Sequence, residues 1–532
     1  MNIEESIRKL KPIMGKKGDA LYLLYMAEDN PARKKQLESQ ILLMEQRLIA
    51  DRVEREKVLL PPPGARKFSG EFPLGDVVYN DKALLPIGLN RDEILQHTVI
   101  FGRSGAGKTN LGLLLVNGFI DGNVPFLIFD WKRNYRDIAG LTLTSPVVVY
   151  TIGRDVAPFR FNPLIPPPGV DAKTYLPKLI EIIAHSYFLG EGVMYLLTKV
   201  IDSIYRDFGV YGGGVNYPTM QDVLERLEKY QAKGRESLWL TSTLRAVASL
   251  CFGEVGKVIN TQVGINMEQL LRQNVILELD ALSDSNKIFF IESLLLWIHH
   301  YRMGEGKRET LKHVIFVEEA HHVLHKNKQE TKSGESIVEI LIREIRELGE
   351  GIIMLDQMPC LFSLPGIANS YTTISFNLKT GSDMRAIVDS MGLTLDDQRF
   401  LGRLNIGEAI VKLQGRIRNP VMVRIPHFPV KKGQITDEWL KSHHNKSDSG
   451  DSEAHLGSQK EKEAIPAPLK TDKEDVGKMA SGLSEDEYGF LKDIADHPTS
   501  QVVERYEWLN LSIQKGNGIK EKLDFTGSIS SI

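Results

Sequence analysis

Hydrophobic and polar positions follow two textures along the chain. From Asn30 to Leu60 charged residues surround Leu37, Ile41, Met44 and Leu48, spaced four, three and four apart, which predicts helix with a short coiled-coil-like seam. Pro61 to Gly64 ends it. A helical hairpin packed on its own domain competes with an intermolecular coiled coil, and the short run favours the hairpin, because heptads that zip two chains are normally sustained. Residues 1–64 therefore read as a helical N-terminal segment. Beyond Pro86 short apolar runs alternate with helical periodicity, the pattern of a parallel sheet covered by helices on both faces. The predicted strands are His97–Phe101, Pro125–Phe129, Val147–Tyr150, Val275–Leu279, Val314–Val317, Ile352–Leu355, Thr372–Phe376 and Ala409–Leu413. No comparable run lies between Leu164 and Asn274, where Tyr175–Tyr187 and Met220–Tyr230 are amphipathic. The expectation is one α/β core over 65–440 with a helical insertion at about 165–274.

Lys441–Ala480 is rich in Lys, Glu, Asp and Ser with isolated apolar residues, the composition of a disordered linker. Periodicity returns in Leu483–Ala495, Gln501–Trp508 and Ile513–Leu523, so 481–532 reads as a module of three short helices. It resembles a winged helix-turn-helix, with Lys515, Lys520 and Lys522 suited to phosphate or groove contact, and a small protein-docking domain is the competing reading. The sequence stops at Gly527–Ile532, where wing strands belong, which makes the module incomplete or atypical.

Composition narrows the class. The 532 residues are 42% hydrophobic and 25% charged with a net charge of −3, which is ordinary for a folded chain and excludes one that coats nucleic acid through bulk charge. Any such contact needs a local patch or an enclosed channel. Two cysteines, Cys251 and Cys360, make no disulfide framework and point to a reduced, cytoplasmic setting. The opening MNIEESIRKLK is not a secretion signal, and the longest apolar stretch, Ile288–Ile298, is interrupted by Glu292 and too short to span a membrane.

The sharpest chemical signal is Gly102-Arg103-Ser104-Gly105-Ala106-Gly107-Lys108-Thr109. It follows a predicted strand and runs through Asn110 into a helical pattern, the context of a phosphate-binding loop. Glycines let backbone N–H groups point at phosphate oxygens, the helix N-terminus favours the anion, Lys108 reaches the terminal phosphates and Thr109 the metal. A second apolar run ends in Glu318-Glu319. Glu318 is assigned to the Mg²⁺ shell and Glu319 to polarising the attacking water, against the alternative of a solvated acidic turn. Gln357, behind the next strand, would stand beside these acids and sense the γ-phosphate. Arg343 and Arg346 share a helical face; an arginine finger reaching a neighbouring subunit's ATP competes there with surface ion pairs to Glu344 and Glu347. Asp130 and Lys132 read equally as a solvated loop or as groups near the phosphates. His321 and His325 lack the third ligand of a zinc site, and Lys326, Lys328 and Lys332 read as a wet loop rather than a DNA-contacting pore.

Taken together, GRSGAGKT, FDWKRNY at Phe129–Tyr135, FNPL at Phe161–Leu164, VEEAHHVL at Val317–Leu324 and LIREIRELGEGIIMLDQMP at Leu341–Pro359 resemble the HerA-like branch of the HerA/FtsK superfamily of P-loop motors, over about Pro86 to Pro426. The resemblance implies a RecA/ASCE-like core and a hexameric ring that hydrolyses ATP between subunits and translocates double-stranded DNA, often beside a nuclease. Two departures stand out. The family usually writes Asp-Glu where this chain has Glu318-Glu319, and it often places an arginine where Gln96 precedes His97, so that Arg91, Arg343 or Arg346 would have to substitute. The family's N-terminal β-barrel has no evident counterpart in the helical residues 1–60. The leading expectation is an ATP-driven DNA translocase or helicase-like motor. A conjugation or type IV secretion ATPase, and an ATP-bound switch or scaffold with slow hydrolysis, are the alternatives.

Overall fold

The computed structural model describes residues 3–48, 60, 68–141, 145–306, 308–326 and 336–448. These lie within the first of two compact units, Met1–Asp451 and Ser452–Ile532. Lys328, Lys332 and the three-helix module of 481–532 lie outside the described residues. So does the expected linker, apart from its first residues, which continue the helix Asp437–Asp448.

Eleven strands form one sheet: β1 (Phe72–Tyr79), β2 (Lys82–Leu89), β3 (Thr98–Phe101), β4 (Phe126–Asp130), β5 (Val147–Thr151), β6 (Asn274–Glu278), β7 (His313–Glu318), β8 (Glu350–Asp356), β9 (Thr372–Ser375), β10 (Glu408–Leu413) and β11 (Val421–Arg424). Their spatial order is β2-β1-β11-β10-β9-β3-β8-β7-β4-β6-β5. The block from β9 to β5 is parallel. Its central strands are buried on both faces: Leu127 and Phe129 join one core with the insertion helices, whereas Phe126 and Ile128 join a second beneath the helix Lys108–Asp121. Burial on both sides is why these segments read as unbroken apolar runs.

All eight expected strands are present, and the sheet departs from the wholly parallel expectation at one side. β10 runs antiparallel to β9, and β11, β1 and β2 extend the sheet antiparallel beyond it. The β1–β2 hairpin precedes the region where strands were expected. Pro73, Gly75, Pro86 and Gly88 broke its alternation, and its register shifts twice. Its turn, Asn80-Asp81, has both residues at positive φ, the primed geometry that Asn and Asp tolerate. Gly75 is obligatory in this hairpin, because a Cβ there would lie 2.1 Å from the Arg424 carbonyl oxygen.

The insertion between β5 and β6 is helical, with Ala172–Tyr187, Glu191–Asp207, Met220–Glu228 and Glu236–Cys251 as its main elements. The apolar run Ile288–Ile298 sits inside the helix Asp284–Gly304, which is buried on nearly all sides. No helix among the described residues is long and apolar enough to cross a membrane. The N-terminal segment forms helices Ile3–Met14, Lys16–Ala27 and Pro31–Leu48. Ile41 and Met44 of the seam pack against Ile7 and Leu10 of the first helix, and Tyr79 Oη donates to the Lys9 carbonyl at 2.9 Å.

His97, read as the first strand residue, instead has φ 65° and precedes β3. It is fully buried. Its Nδ1 accepts the Ile352 N–H at 3.0 Å, so Nε2 carries the proton and donates to the Ile342 carbonyl at 2.7 Å. One imidazole thereby ties β8 to the helix Ile337–Ile345. Burial pushes its pKa down to about 4. A histidine kept neutral in the fold but charged when unfolded stabilises the protein fully above its unfolded pKa, and that contribution is lost as pH falls from about 6.5 towards 4. Between pH 7 and pH 5 this amounts to about 2 kcal/mol. Urea denaturation should give a pH 7 to pH 5 loss smaller by that amount in His97→Gln, whose amide keeps a donor and an acceptor, than in the parent chain.

Candidate active site

The phosphate loop, the acidic pair and Gln357 converge on the carboxyl ends of the parallel strands. The phosphate loop leaves β3 and enters the helix Lys108–Asp121. β8 lies between β3 and β7, so Gln357 emerges between the loop and the acids. The Gly102 N–H donates to the Asp356 carbonyl at 3.1 Å and the Arg103 N–H to the Asn377 carbonyl at 2.9 Å, which fixes the loop against β8 and β9. Gly107 has φ 123°, and a Cβ there would meet the Phe376 ring at 2.9 Å. Lys108 Nζ donates to the Gly102 and Arg103 carbonyls at 2.5 and 3.2 Å. Burial pulls its pKa down against the opposing charges of Glu319, Asp356 and Glu318.

Opposite the loop stands a group of carboxylates, each held by hydrogen bonds from nearby backbone or side chains. Asp130, at the end of β4, accepts three backbone N–H groups, from Lys132 at 3.1 Å, Asn134 at 2.9 Å and Tyr135 at 3.0 Å. It thereby shapes the 131–135 loop, which turns two side chains onto the acids. Asn134 Nδ2 faces both oxygens of Glu318 at 3.4 Å, and Lys132 Nζ meets Glu319 Oε1 at 2.6 Å. Burial raises the pKa of Asp130 and of Glu318, and the Asp130 charge raises Glu318 further while Asn134 opposes it. Glu319 sits at φ 48° and also accepts from Gln357 Nε2. Asp356 accepts from the His321 backbone N–H at 2.5 Å and from its ring Nδ1 at 2.9 Å. Burial lowers the His321 pKa, but Asp356 and Glu319 outweigh it and the net shift is upward.

A cleft of about 660 Å³ is lined by Ser104, Gly105, Gly107, Lys108, Thr109, Lys132, Asn134, Glu318, Glu319 and Gln357. Its remaining wall is a strap that follows β11. Asn110, expected beside the phosphates, is turned to this strap: its Nδ2 donates to the Pro426 carbonyl at 2.9 Å and its Oδ1 accepts the Phe428 N–H at 2.8 Å. Further along, Asp137 accepts the N–H groups of Gly433, Gln434 and Ile435 at 2.8 to 3.0 Å. Arg136 and Arg154 each bridge buried Glu278 to Asp437.

The fold thus brings Lys108, Thr109, Glu318, Glu319 and Gln357 to one cleft. Arg103 instead donates from Nε to Asn377 Oδ1 at 3.1 Å, and Ala106 is buried, its carbonyl accepting the Gly407 N–H at 3.1 Å. Arg343 and Arg346 do not line the cleft. They precede β8, on the amino-end side of the parallel strands, away from the loop at their carboxyl ends. Arg91, the other substitute arginine, is paired with Glu71 at 2.6 Å and with the Gly122 carbonyl at 2.7 Å. Sequence reasoning passed over Asn134 and left Lys132 undecided; their signal was position alone, behind a strand ending in aspartate. Asp130→Ala removes the acceptor for three N–H groups and should destabilise the chain by about 2–4 kcal/mol in urea denaturation, with weakened nucleotide affinity by calorimetry.

Residues 72–181 match the family described as "Helicase HerA, central domain". No curated protein matches the chain by sequence. Among solved structures, VirB4 of Thermoanaerobacter pseudethanolicus superposes with a TM-score of 0.54 at 16% identity, over 69% of this chain and 99% of that one. The plasmid coupling protein TrwB, in complex with the non-hydrolysable ATP analogue ADPNP, aligns with a TM-score of 0.49 at 12% identity, over 71% of this chain and 98% of that one. The family match ends before the acids of β7, whose placement beside the loop comes from the sheet order. Residues 72–181 are thus similar to the HerA central domain, and the fold around them is similar to that of VirB4.

Proposed function

We propose that this chain is an ATP-driven motor that works as a ring, hexameric in its family, on double-stranded DNA in the cytoplasm, alongside a nuclease or a repair or defence partner. The observation that carries the hydrolytic part is the convergence of Lys108, Thr109, Glu318, Glu319 and Gln357 on one cleft. In this reading the loop N–H groups and Lys108 hold the β- and γ-phosphates, Glu319 orients the attacking water, and Gln357 reports the γ-phosphate. The donor set suits Mg²⁺: a hydroxyl at Thr109 and a buried carboxylate at Glu318 whose charge is disfavoured by burial and would be relieved by a cation. Thr109 and Glu318 would hold Mg²⁺ there, and the ion would supply positive charge against the phosphates. Arg343 and Arg346, remote from their own cleft, are assigned to a neighbouring subunit's ATP.

The ion pair between Lys132 and Glu319 favours one variation on this reading, a switch that holds ATP and turns it over slowly until engaged. Lys132 and Gln357 both donate to Glu319 Oε1, which occupies the oxygen that would polarise water. Release of that oxygen would precede hydrolysis.

Two outcomes follow. Glu319→Gln should reduce ATP turnover at least about a hundredfold while leaving ATP affinity within a fewfold, because removal of a base acting in the transition state spares ground-state binding. A coupled phosphate-release assay with and without duplex DNA, together with calorimetry, checks it; parent turnover indifferent to every DNA tried counts against the motor. Lys132→Met should raise DNA-independent turnover severalfold in the same assay, and a fall instead would make Lys132 a required positioning group rather than a restraint.

A further inference from the structure

The second helix of the N-terminal segment, Lys16–Ala27, carries two apolar stripes. The inner one is Gly18, Leu21 and Tyr25. Gly18 is buried, a Cβ there would lie 2.7 Å from the Lys11 Cα, and Leu21 and Tyr25 rest on the cluster of Ile7, Leu10 and Ile41. The outer one is Ala20, Leu23, Leu24 and Ala27, spaced three, one and three apart, the i, i+3, i+4, i+7 pattern of a covered helix face. At about 100° per residue it falls on the half of the helix turned away from Gly18 and Leu21. All four residues are exposed, Leu23 at 67% and Leu24 at 54%. A helix that is apolar on both halves calls for cover on both, and the fold supplies it on one.

The charges at the two ends name the occupant. Lys16 and Lys17 open the helix, and Glu28 and Asp29 directly follow it, the reverse of what the helix dipole favours. Asp19 is answered by Lys11 at 2.6 Å and Glu28 Oε1 accepts the Asn30 N–H at 3.0 Å, whereas Lys16, Lys17 and Asp29 meet no opposite charge among the described residues. A second copy of the same helix, laid antiparallel, answers both ends at once. We propose that the outer stripe is a two-fold contact between two copies of this chain, centred between Leu23 and Leu24. That register sets Leu23 beside the partner's Leu24 and Ala20 beside the partner's Ala27, so that small residues let the helices approach and leucines fill the seam. Lys16 and Lys17 then reach the partner's Glu28 and Asp29. A membrane surface would take the leucines but not the acidic end. A two-fold contact is self-complementary and differs from the head-to-tail contact that closes a ring, so it joins one ring to another. The helix is about 18 Å long, too short to bury the roughly 1,200 Å² of a stable dimer of single chains, and the contact gains its strength by repetition between assemblies already formed. The inference goes beyond the motor reading and takes from it only the ring.

The test is the mass of the full chain in low salt, by light scattering and analytical ultracentrifugation over a range of concentrations. The parent should form an assembly of twice the mass of the one found in Leu23→Glu and in Leu24→Glu, both at exposed positions that leave the packed face intact. Each variant should raise the concentration at which doubling is half complete by at least about tenfold. Lys17→Glu and Asp29→Lys should each raise it severalfold, and the chain carrying both should return towards the parent, because the exchanged charges again face one another across the two-fold axis. Leucine variants with the parent's mass at every concentration, charge exchanges that do not rescue one another, or a parent ring that never doubles overturn the pairing. A lower urea midpoint in Leu23→Glu with no change of mass assigns the stripe to a cover within one chain and overturns it too. A parent that stays monomeric throughout overturns the ring reading together with the pairing.

Discussion

Strand register forces two carboxylates together. Phe129 of β4 pairs with Val317 of β7, so the next residues, Asp130 and Glu318, end neighbouring strands side by side where both are buried. Like charges in such a place are costly unless hydrogen bonds or a cation answer them. The 131–135 loop is that answer in protein atoms: three N–H groups on Asp130, an amide on Glu318 and an ammonium on Glu319. Its conformation follows from the need to satisfy the acids, and the positions of Lys132 and Asn134 follow from its conformation. Glu319, Asp356 and Glu318 also face Lys108, whose positive charge they favour.

The next shell closes the cleft. Arg136 and Arg154 bridge a fully buried glutamate, Glu278, to Asp437 at the start of the helix that follows the strap, and Asp137 takes three strap N–H groups. A buried carboxylate paired with two guanidiniums is strongly destabilised by loss of either partner, so this arrangement adds to the apolar packing of Ile425 and Ile435 on the core in holding the strap in place. One consequence is structural coupling. The chain segment that walls the cleft is bonded to the segment that arranges its acids, while Asn110 bonds it to the helix that begins at the phosphate loop.

Elements legible in the sequence were those whose determinants are local. Strands buried on both faces announce themselves as apolar runs, and the phosphate loop carries its glycines, lysine and hydroxyl in eight consecutive positions. β1, β2 and β11 were not legible, because an antiparallel flank half-covered by helix tolerates proline, glycine and bulges that erase alternation; only Asn80-Asp81 marked the hairpin. Asn110 was read as part of the phosphate site from its neighbours in sequence, yet its hydrogen-bond partners lie 316 and 318 residues away. Lys132 was undecided for the same reason, since its partner Glu319 is 187 residues distant.

By itself, then, the sequence determined the α/β class, the positions of the parallel strands, the helical insertion, the phosphate loop and the identity of the acidic pair, because each rests on residue spacing along a few turns or one strand. Tertiary structure alone decided that β8 lies between loop and acids, that Asp130 abuts Glu318, that Lys132 holds Glu319 and that the strap walls the cleft beside the phosphate loop. Those are consequences of strand order and register, which depend on pairings between segments hundreds of residues apart and leave no periodic trace in the chain.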